Sequence, residues 1–268
     1  MKKYPKFILS CIVLVALALF TSCQKDDADP AAPTVSLSED EVSGKSGEEI
    51  TVTVDITAPG GLKSLVISKT VNLAADNTFG TGGTMTVTPT SSGDNTFQHT
   101  FTYELKGDEV DKVVGFNFKA EDNNGKASEK DLTVNTIMSG EQIIATYRWN
   151  LKSKFHATAE PPAEGIQDCE TDDSFTYNAD GTMAVAYGAK ACTFDGFNVY
   201  TGWTLSEDEK TFTQTYADAF DASKTTTETY TVTTLNKDQL VMEITLDLTA
   251  FGLTDNEKFV YTFDASAK

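Results

Sequence analysis

The fold class is decided by one stretch of the chain, Ile50-Thr51-Val52-Thr53-Val54-Asp55-Ile56, in which apolar and polar residues alternate without interruption. Successive side chains of a strand point to opposite faces, so this pattern buries one face and leaves the other in water. The same period of two recurs in Phe97–Leu105 and in Leu240–Leu248, and no sustained period of 3.6 residues appears after residue 30. The chain is therefore predicted to be all-β.

The composition is that of an ordinary globular protein, with 268 residues of which 40% are hydrophobic and 23% charged. At about 100–200 residues per domain, this length predicts two domains or one large one. Acidic residues outnumber basic ones by 40 to 21, which gives a net charge of −19. Nucleic-acid binding needs clustered Lys and Arg to neutralise phosphates, so we expect no nucleic-acid partner.

The first 22 residues have the pattern of a secretory signal. Lys2, Lys3 and Lys6 form a basic start, and the apolar run Phe7–Phe20 follows. This run is shorter than the roughly 20 apolar residues of a transmembrane helix, and it fits the core of a signal peptide. It ends in Phe20-Thr21-Ser22-Cys23, which resembles the lipobox of bacterial lipoproteins, with Phe20 where Leu is usual.

The lipoprotein resemblance implies that residues 1–22 are removed and that Cys23 becomes an N-terminus carrying acyl chains such as palmitate. The alternative is an ordinary cleaved signal followed by an unmodified cysteine. Residues 23–31 are polar and acidic, as expected of a flexible tether, and Gln24-Lys25-Asp26-Asp27 resembles a surface-export tag of Gram-negative lipoproteins. The expected partner is thus the outer membrane, reached through the lipid anchor, with cell-surface display as a further option.

Residues 32–138 are predicted to form a β-sandwich. Seven short strands fit the alternation, at 34–38, 48–57, 62–70, 83–89, 96–105, 112–121 and 129–136. That number of strands in one small domain is typical of an immunoglobulin-like (Ig-like) sandwich. The turn Ala120–Ser128 also resembles the hairpin of bacterial Ig-like modules, although the domain contains no Cys or Trp.

Residues 139–268 are predicted to form an eight-stranded up-and-down β-barrel. Tight polar turns such as Asn178-Ala179-Asp180-Gly181 separate its alternating runs, and such a meander can close without exposed edges. This part of the chain resembles the bacterial lipocalin-like domain, and the residues that carry the resemblance are Trp149, the hairpin Cys169–Thr182, Cys192 and Gly202–Ser206. Tyr147 stands where classical lipocalins have Gly, so the resemblance is to the bacterial group.

Two cysteines remain once Cys11 leaves with the signal and Cys23 takes lipid. An even pair in an exported protein, Cys169 and Cys192, predicts a disulfide. A metal site is the rival interpretation, and a chain with only two histidines disfavours zinc.

Catalytic chemistry finds little support in the sequence. His99 lies in a strand of the first domain and His156 lies in the second domain, and no Gly-x-Ser-x-Gly, His-Glu-x-x-His or phosphate-loop motif occurs. The acids of Asp172-Asp173 point to opposite faces of a strand, and Asp122-Asn123-Asn124 is more typical of a hairpin turn than of a Ca²⁺ site. We expect no enzymatic activity, no cofactor and no metal.

The barrel interior is the feature that could carry a function. Either packed side chains fill it, or it encloses a pocket for one small ligand. We expect the loop 156–168, the longest connection in the domain, to cover the open end. The candidate ligand-binding residues are Trp149, Phe155, His156, Tyr177, Trp203, Tyr230, Met242 and Tyr261.

Two classes of function remain open. The first is a non-enzymatic envelope lipoprotein whose barrel binds a small apolar molecule or an envelope protein. The second is a structural or adhesive module with a filled barrel, which makes its contacts through the Ig-like domain.

Overall fold

A computed structural model describes residues 29–268, and this part of the chain is all-β with one seven-residue α-helix. The signal segment, Cys23 and most of the predicted tether lie outside the described residues. Between residues 29 and 268, no helix is long and apolar enough to span a bilayer.

Ten strands build the N-terminal part of the protein. They are β1 (Thr34–Leu37), β2 (Glu41–Lys45), β3 (Glu49–Thr57), β4 (Leu62–Val71), β5 (Ala74–Ala75), β6 (Thr84–Val87), β7 (Thr90–Gly93), β8 (Thr96–Glu104), β9 (Val113–Asp122) and β10 (Ala127–Ile137). All seven predicted strands are present. The three that were not predicted, β2, β5 and β7, are short, and β5 and β7 are fully exposed, so they lack the alternation that marks a half-buried strand.

These strands form two sheets that enclose a common apolar core. One sheet has the order β1-β3-β8-β7, and the other has the order β2-β10-β9-β4-β5, with β6 also paired to β4. The two orders match the A-B-E-D and G-F-C sheets of an immunoglobulin-type sandwich. Val52, Val54, Phe101, Phe116 and Phe118 fill the space between them, and each is at most 1% exposed. The predicted sandwich is therefore confirmed.

Nine strands and the helix make up the rest of the chain. They are α1 (Gly140–Thr146), β11 (Tyr147–His156), β12 (Ala163–Glu164), β13 (Ser174–Tyr177), β14 (Met183–Ala186), β15 (Asn198–Leu205), β16 (Thr211–Asp218), β17 (Asp221–Leu235), β18 (Gln239–Leu246) and β19 (Glu257–Ala267). Eight of these strands run in the order β14-β13-β11-β19-β18-β17-β16-β15, all antiparallel, and β12 is a short addition to β11.

The eight-stranded barrel is confirmed, but it closes incompletely. Its first and last strands, β14 and β15, lie close together without forming a hydrogen-bonded ladder. Trp203 of β15 bridges the gap instead, because its backbone N–H donates to Gly181 O at 2.9 Å and its indole N–H donates to Asn178 O at 3.0 Å. The expectation of a barrel without edges is thus met only in part, because a turn-to-strand contact joins β14 and β15 where strand pairing is absent.

Helix α1 packs at one end of the barrel. Ser139 caps it in a reciprocal capping box with Gln142, which satisfies the free N–H groups at the helix start. Ile144 is fully buried in the barrel core, and its carbonyl accepts a hydrogen bond from the Trp149 indole at 3.0 Å. A helix of two turns is too short to show a helical period, which explains why the sequence did not predict it.

Candidate ligand pocket in the barrel

The interior of the barrel is divided into a filled half and an open half. The filled half lies next to α1, where Trp149, Tyr177 and Phe212 have no exposed surface. Tyr177 meets Phe212 edge-to-face, with ring centroids 5.3 Å apart, and Trp203 stacks on Phe212, with centroids 6.0 Å apart. Packed side chains therefore fill this half of the interior.

The open half contains a pocket of about 350 Å³, a volume within the usual range for small-molecule sites. Its walls come from inward-facing residues of the strands: Leu151, Lys154, Phe175, Val185, Tyr200, Gln214, Glu228, Tyr230, Met242, Tyr261 and Phe263. Its mouth comes from connecting segments and strand ends: Gln167, Glu170, Asp173, Tyr187, Cys192, Thr193, Phe194, Asp195 and Asn198.

Six aromatic rings form a continuous arc, and five of them, all except Tyr216, line this pocket. The order of the arc, with each ring in contact with the next, is Tyr216, Tyr200, Phe175, Phe263, Tyr261 and Tyr230. Neighbouring centroids lie between 5.3 and 6.4 Å apart, as in other edge-to-face and offset aromatic pairs. The arc gives the pocket a wall that is apolar in the middle and lined by tyrosine hydroxyls towards its ends.

Glu228 joins the two ends of the arc. Its Oε1 accepts a hydrogen bond from the Tyr216 hydroxyl at 3.2 Å, and its Oε2 accepts one from the Tyr230 hydroxyl at 2.6 Å. The Gln214 amide donates to the same Oε2 at 3.0 Å. Three donors thus orient the carboxylate, and no lysine, arginine or histidine of residues 29–268 forms an ion pair with it.

Asp173 places a second carboxylate at the mouth. It is 7% exposed, and its Oδ1 has no hydrogen-bond partner in the described part of the chain. Burial raises the pKa of this carboxyl to about 6, and the negative charges of Asp195, Glu170 and Asp172 add to the effect. An unpaired buried acid is costly, so its presence in a pocket wall indicates a role other than stability.

The disulfide ties together the two segments that form the mouth. Cys169 and Cys192 are bonded, with Cα atoms 5.3 Å apart, so the predicted disulfide is confirmed. On one side of the bond, Glu170 pairs with Lys154 at 2.9 Å. On the other side, Asp195 accepts a hydrogen bond from the Cys192 backbone N–H at 2.6 Å.

Three exposed phenylalanines continue the mouth on the outer surface. Phe194 lines the pocket, and its ring contacts that of Phe197 with centroids 5.5 Å apart. The Phe197 ring in turn contacts that of Phe220 with centroids 5.3 Å apart. Phe194 and Phe220 are 72% and 80% exposed, which is unusual for such large apolar side chains.

The structure separates the eight candidate residues that the sequence suggested. Tyr230, Met242 and Tyr261 lie in the pocket wall. Trp149, Tyr177 and Trp203 belong to the filled half and are not among the lining residues.

Phe155 lies outside the pocket because of a β-bulge in β11, whereas His156 lies outside it because its ring packs against Phe259, beyond the pocket. The pairing of β11 with β19 shifts between Leu151 and Ser153, so the inward and outward positions exchange after this point. Lys154 consequently lines the pocket, and Phe155 is 38% exposed. The His156 ring stacks on that of Phe259, with centroids 4.3 Å apart, and its Nε2 lies 2.7 Å from Glu257 Oε2. These two contacts hold the imidazole outside the pocket.

The expectation that the loop 156–168 covers the open end needs correction. Residues 157–162 surround a separate surface depression, and only Gln167 of this loop lines the barrel pocket. Residues 192–195 cover the mouth instead, since a disulfide holds them against the end of the longer loop.

Sequence reasoning missed Glu228, Gln214, Tyr200 and Asp173 as pocket residues. A signal for two of them was present, because Glu228 and Gln214 each lie two positions from an inward aromatic residue, Tyr230 or Phe212. Asp173 also lies two positions before a pocket aromatic residue, Phe175, but no local signal shows that Asp195, which is distant in sequence, lies near it.

The turn at Asp122 is a hairpin, as the sequence suggested. Its Oδ1 accepts hydrogen bonds from the backbone N–H groups of Asn124 and Lys126 at 2.9 and 2.8 Å. Within residues 29–268, no group of three or more His, Cys, Asp or Glu side chains is arranged to hold a metal ion.

No protein-family model matches this sequence, and no curated protein matches it. Among solved structures, the sporulation control protein Spo0M of Bacillus subtilis is 11% identical, with a TM-score of 0.29 over 89% of this chain and 91% of that one. A DUF4466 family protein from Parabacteroides merdae is 12% identical, with a TM-score of 0.28 over 90% of this chain and 100% of that one. Likenesses this weak say nothing about function, so the geometry of the pocket has to carry any functional argument.

Proposed function

We propose that this protein is a non-enzymatic binding protein of the cell envelope, anchored to the outer membrane through Cys23, whose barrel holds a small molecule with an apolar or aromatic body. The observation that carries this proposal is the pocket of about 350 Å³ in one half of a barrel whose other half is filled. Closely packed proteins rarely leave such a space without a reason.

The arrangement of the pocket supports binding rather than empty space between strands. Eight of its eleven wall residues are aromatic or aliphatic, five of them aromatic, and three polar or charged residues, chiefly Glu228 with its three donors, interrupt them. Apolar walls with few polar groups are the usual composition of small-molecule sites. The exposed Phe194 beside the mouth adds apolar surface along which a ligand could enter.

The experiment that tests this proposal uses the uncharged fluorescent probe N-phenylnaphthylamine and the full-length protein. We expect saturable binding that Tyr261→Leu weakens, since this change removes an aromatic ring from the pocket wall. The matched control is Phe220→Leu, which removes an exposed ring outside the pocket and should leave binding unchanged.

Absence of saturable binding would contradict the proposal, and so would binding that depends on Phe220 rather than Tyr261. Native mass spectrometry of protein purified from its own host provides a second test. We expect it to retain a small molecule that Tyr261→Leu releases.

A further inference from the structure

The charges around the pocket are strongly one-sided. Four of its lining residues are carboxylates, and a lysine is the only basic residue among those described. Lys154 is already neutralised by Glu170 at 2.9 Å. The carboxylates of Asp173, Asp195 and Glu228 form no ion pair within residues 29–268.

Asp173 indicates that the excess of negative charge faces the pocket and not the solvent. An acidic group on the surface is solvated by water, but Asp173 is 93% removed from solvent and one of its oxygens has no partner. Such an oxygen carries a desolvation cost that a donor from a ligand would offset. The three other acids near it, Glu170, Asp172 and Asp195, increase the negative potential at the same place.

Deeper in the pocket, the aromatic arc begins and ends at Glu228. The hydroxyl groups of its terminal members, Tyr216 and Tyr230, both donate to this carboxylate, so the arc and the acid form one closed ring of groups. Aromatic faces attract cations through their quadrupole, and cages of aromatic rings are a known way to bind quaternary ammonium groups. A carboxylate within the ring adds the opposite charge.

We propose that the pocket selects an organic cation, a ligand with an alkylammonium group that lies within the aromatic arc beside Glu228. This inference rests on the proposed function, because it names the chemical class of the molecule that the barrel holds. Anionic ligands such as fatty acids would place their carboxylate among three unpaired acids and are disfavoured.

The experiment compares three probes of equal shape and different charge. They are choline, its carbon isostere with a tert-butyl group in place of the trimethylammonium group, and the anion of tert-butylacetic acid. Calorimetric titration of the full-length protein should give affinities that fall in this order, with choline about tenfold or more tighter than the uncharged isostere. Choline cannot lose its charge, so any pH dependence reports on the protein.

Substitutions at Glu228 and Tyr200 test whether the carboxylate and the aromatic ring of the pocket are responsible for choline binding. Glu228→Gln keeps the shape and, through its single amide oxygen, still accepts a hydrogen bond from one of the two tyrosines. It should weaken choline binding about tenfold while leaving binding of the uncharged isostere unchanged. The matched control, Glu207→Gln, removes one negative charge from an exposed turn and should leave choline affinity unchanged. Tyr200→Leu should weaken choline binding more than Tyr200→Phe, since only the first removes the ring.

The outcomes separate the two proposals. Equal affinity for choline and its isostere, or an equal loss of both in Glu228→Gln, would overturn the cation inference and leave a small-molecule pocket. The same holds if N-phenylnaphthylamine binds and choline does not. If neither probe binds saturably, both proposals fail.

Discussion

Adjacent residues can have opposite roles, and Asp172 and Asp173 show how. Asp172 is exposed, and hydrogen bonds from the backbone N–H groups of Ala189 and Lys190, at 2.7 and 3.1 Å, lower its pKa. Asp173 points the other way, is buried, and has its pKa raised to about 6. Asp172 lies in a turn and Asp173 directly precedes β13, so the strand that the sequence predicted for this pair begins only at Ser174. The end of the turn therefore separates a stabilised carboxylate from a destabilised one across a single peptide bond.

Asp173 makes the protein less stable as the pH rises. In the folded state its carboxyl keeps its proton up to about pH 6, whereas the ordinary value of 3.8 applies when the chain is unfolded. The folded protein thus binds more protons between these values, so the contribution of this group is most favourable below about pH 4 and is lost as the pH rises through 6. At about 1.4 kcal/mol per pKa unit, the loss amounts to about 2–3 kcal/mol.

We predict that Asp173→Asn increases the free energy of unfolding by about 1–2 kcal/mol near neutral pH and by little near pH 4, because the wild-type carboxyl is protonated there. Urea denaturation at both pH values measures this. Asp172→Asn is the control and should have the opposite sign at neutral pH, since its carboxylate accepts two backbone hydrogen bonds. A uniform effect of Asp173→Asn at both pH values would show that its charge is not responsible.

At the scale of elements, irregular segments rather than strands shape the pocket mouth. The bulge in β11 turns Lys154 inward and Phe155 outward, and the connection between β14 and β15 brings Phe194 and Asp195 over the opening. The disulfide holds this connection against Glu170, at a sequence separation of 23 residues. The strands therefore supply the walls, and the connections control access to them.

We predict that replacing both Cys169 and Cys192 with serine lowers the free energy of unfolding by about 3 kcal/mol, because the unfolded chain loses a loop constraint of this length. The barrel should remain folded, and the segment around residues 187–197 should exchange its amide hydrogens faster. Hydrogen exchange followed by mass spectrometry measures this. If protection is lost equally in all barrel strands, the disulfide is needed for the whole fold rather than for the mouth.

At the scale of the molecule, Glu209 is the main link between the sandwich and the barrel. Its two oxygens accept from Lys45 Nζ of the sandwich at 2.6 Å and from the Gly140 backbone N–H at 2.7 Å. Lys237 and Asp111 make a second, exposed ion pair at 3.1 Å. Exposed ion pairs contribute little to stability. The sandwich and the barrel have separate apolar cores, which share no residue.

We predict that residues 32–138 and 139–268 fold as separate fragments, since each contains its own apolar core. The second fragment must begin at Ser139 to keep the cap of α1. Circular dichroism and thermal unfolding of both fragments test this. The boundary is misplaced if neither fragment unfolds cooperatively by itself.

The anchor is a prediction about the whole molecule that rests on the sequence alone, because Cys23 lies outside the described residues. We predict that Cys23→Ala moves the protein from the membrane fraction to the soluble fraction, because lipid chains supply the affinity for the bilayer. Fractionation of cells after a high-salt wash measures this, and a Ser22→Ala variant that keeps the cysteine serves as control. Unchanged membrane association of Cys23→Ala would rule out the lipid anchor.

Local sequence patterns were enough to predict the all-β fold class, the sandwich strands with an apolar alternation, the eight barrel strands and the Cys169–Cys192 disulfide. These features depend on local patterns: a period of two, turn residues, and an even number of cysteines in an exported chain. The sequence also predicted Tyr230, Met242 and Tyr261 as inward-facing. Met242 and Tyr261 are partners in an uninterrupted ladder, and Tyr230 precedes the register shift between Val232 and Thr234.

Which half of the barrel is filled and which is open follows from the packing of distant segments and not from local sequence. Along a strand, filled and open positions carry the same kinds of residues, so Trp149 and Tyr261 look alike in sequence although one is packed and the other lines a pocket. The bulge after Leu151 reversed the expected direction of Phe155, because one added residue exchanges the two faces of a strand. The disulfide also brings the segment that contains Asp195 to the pocket mouth beside Asp173, and no local pattern records this proximity.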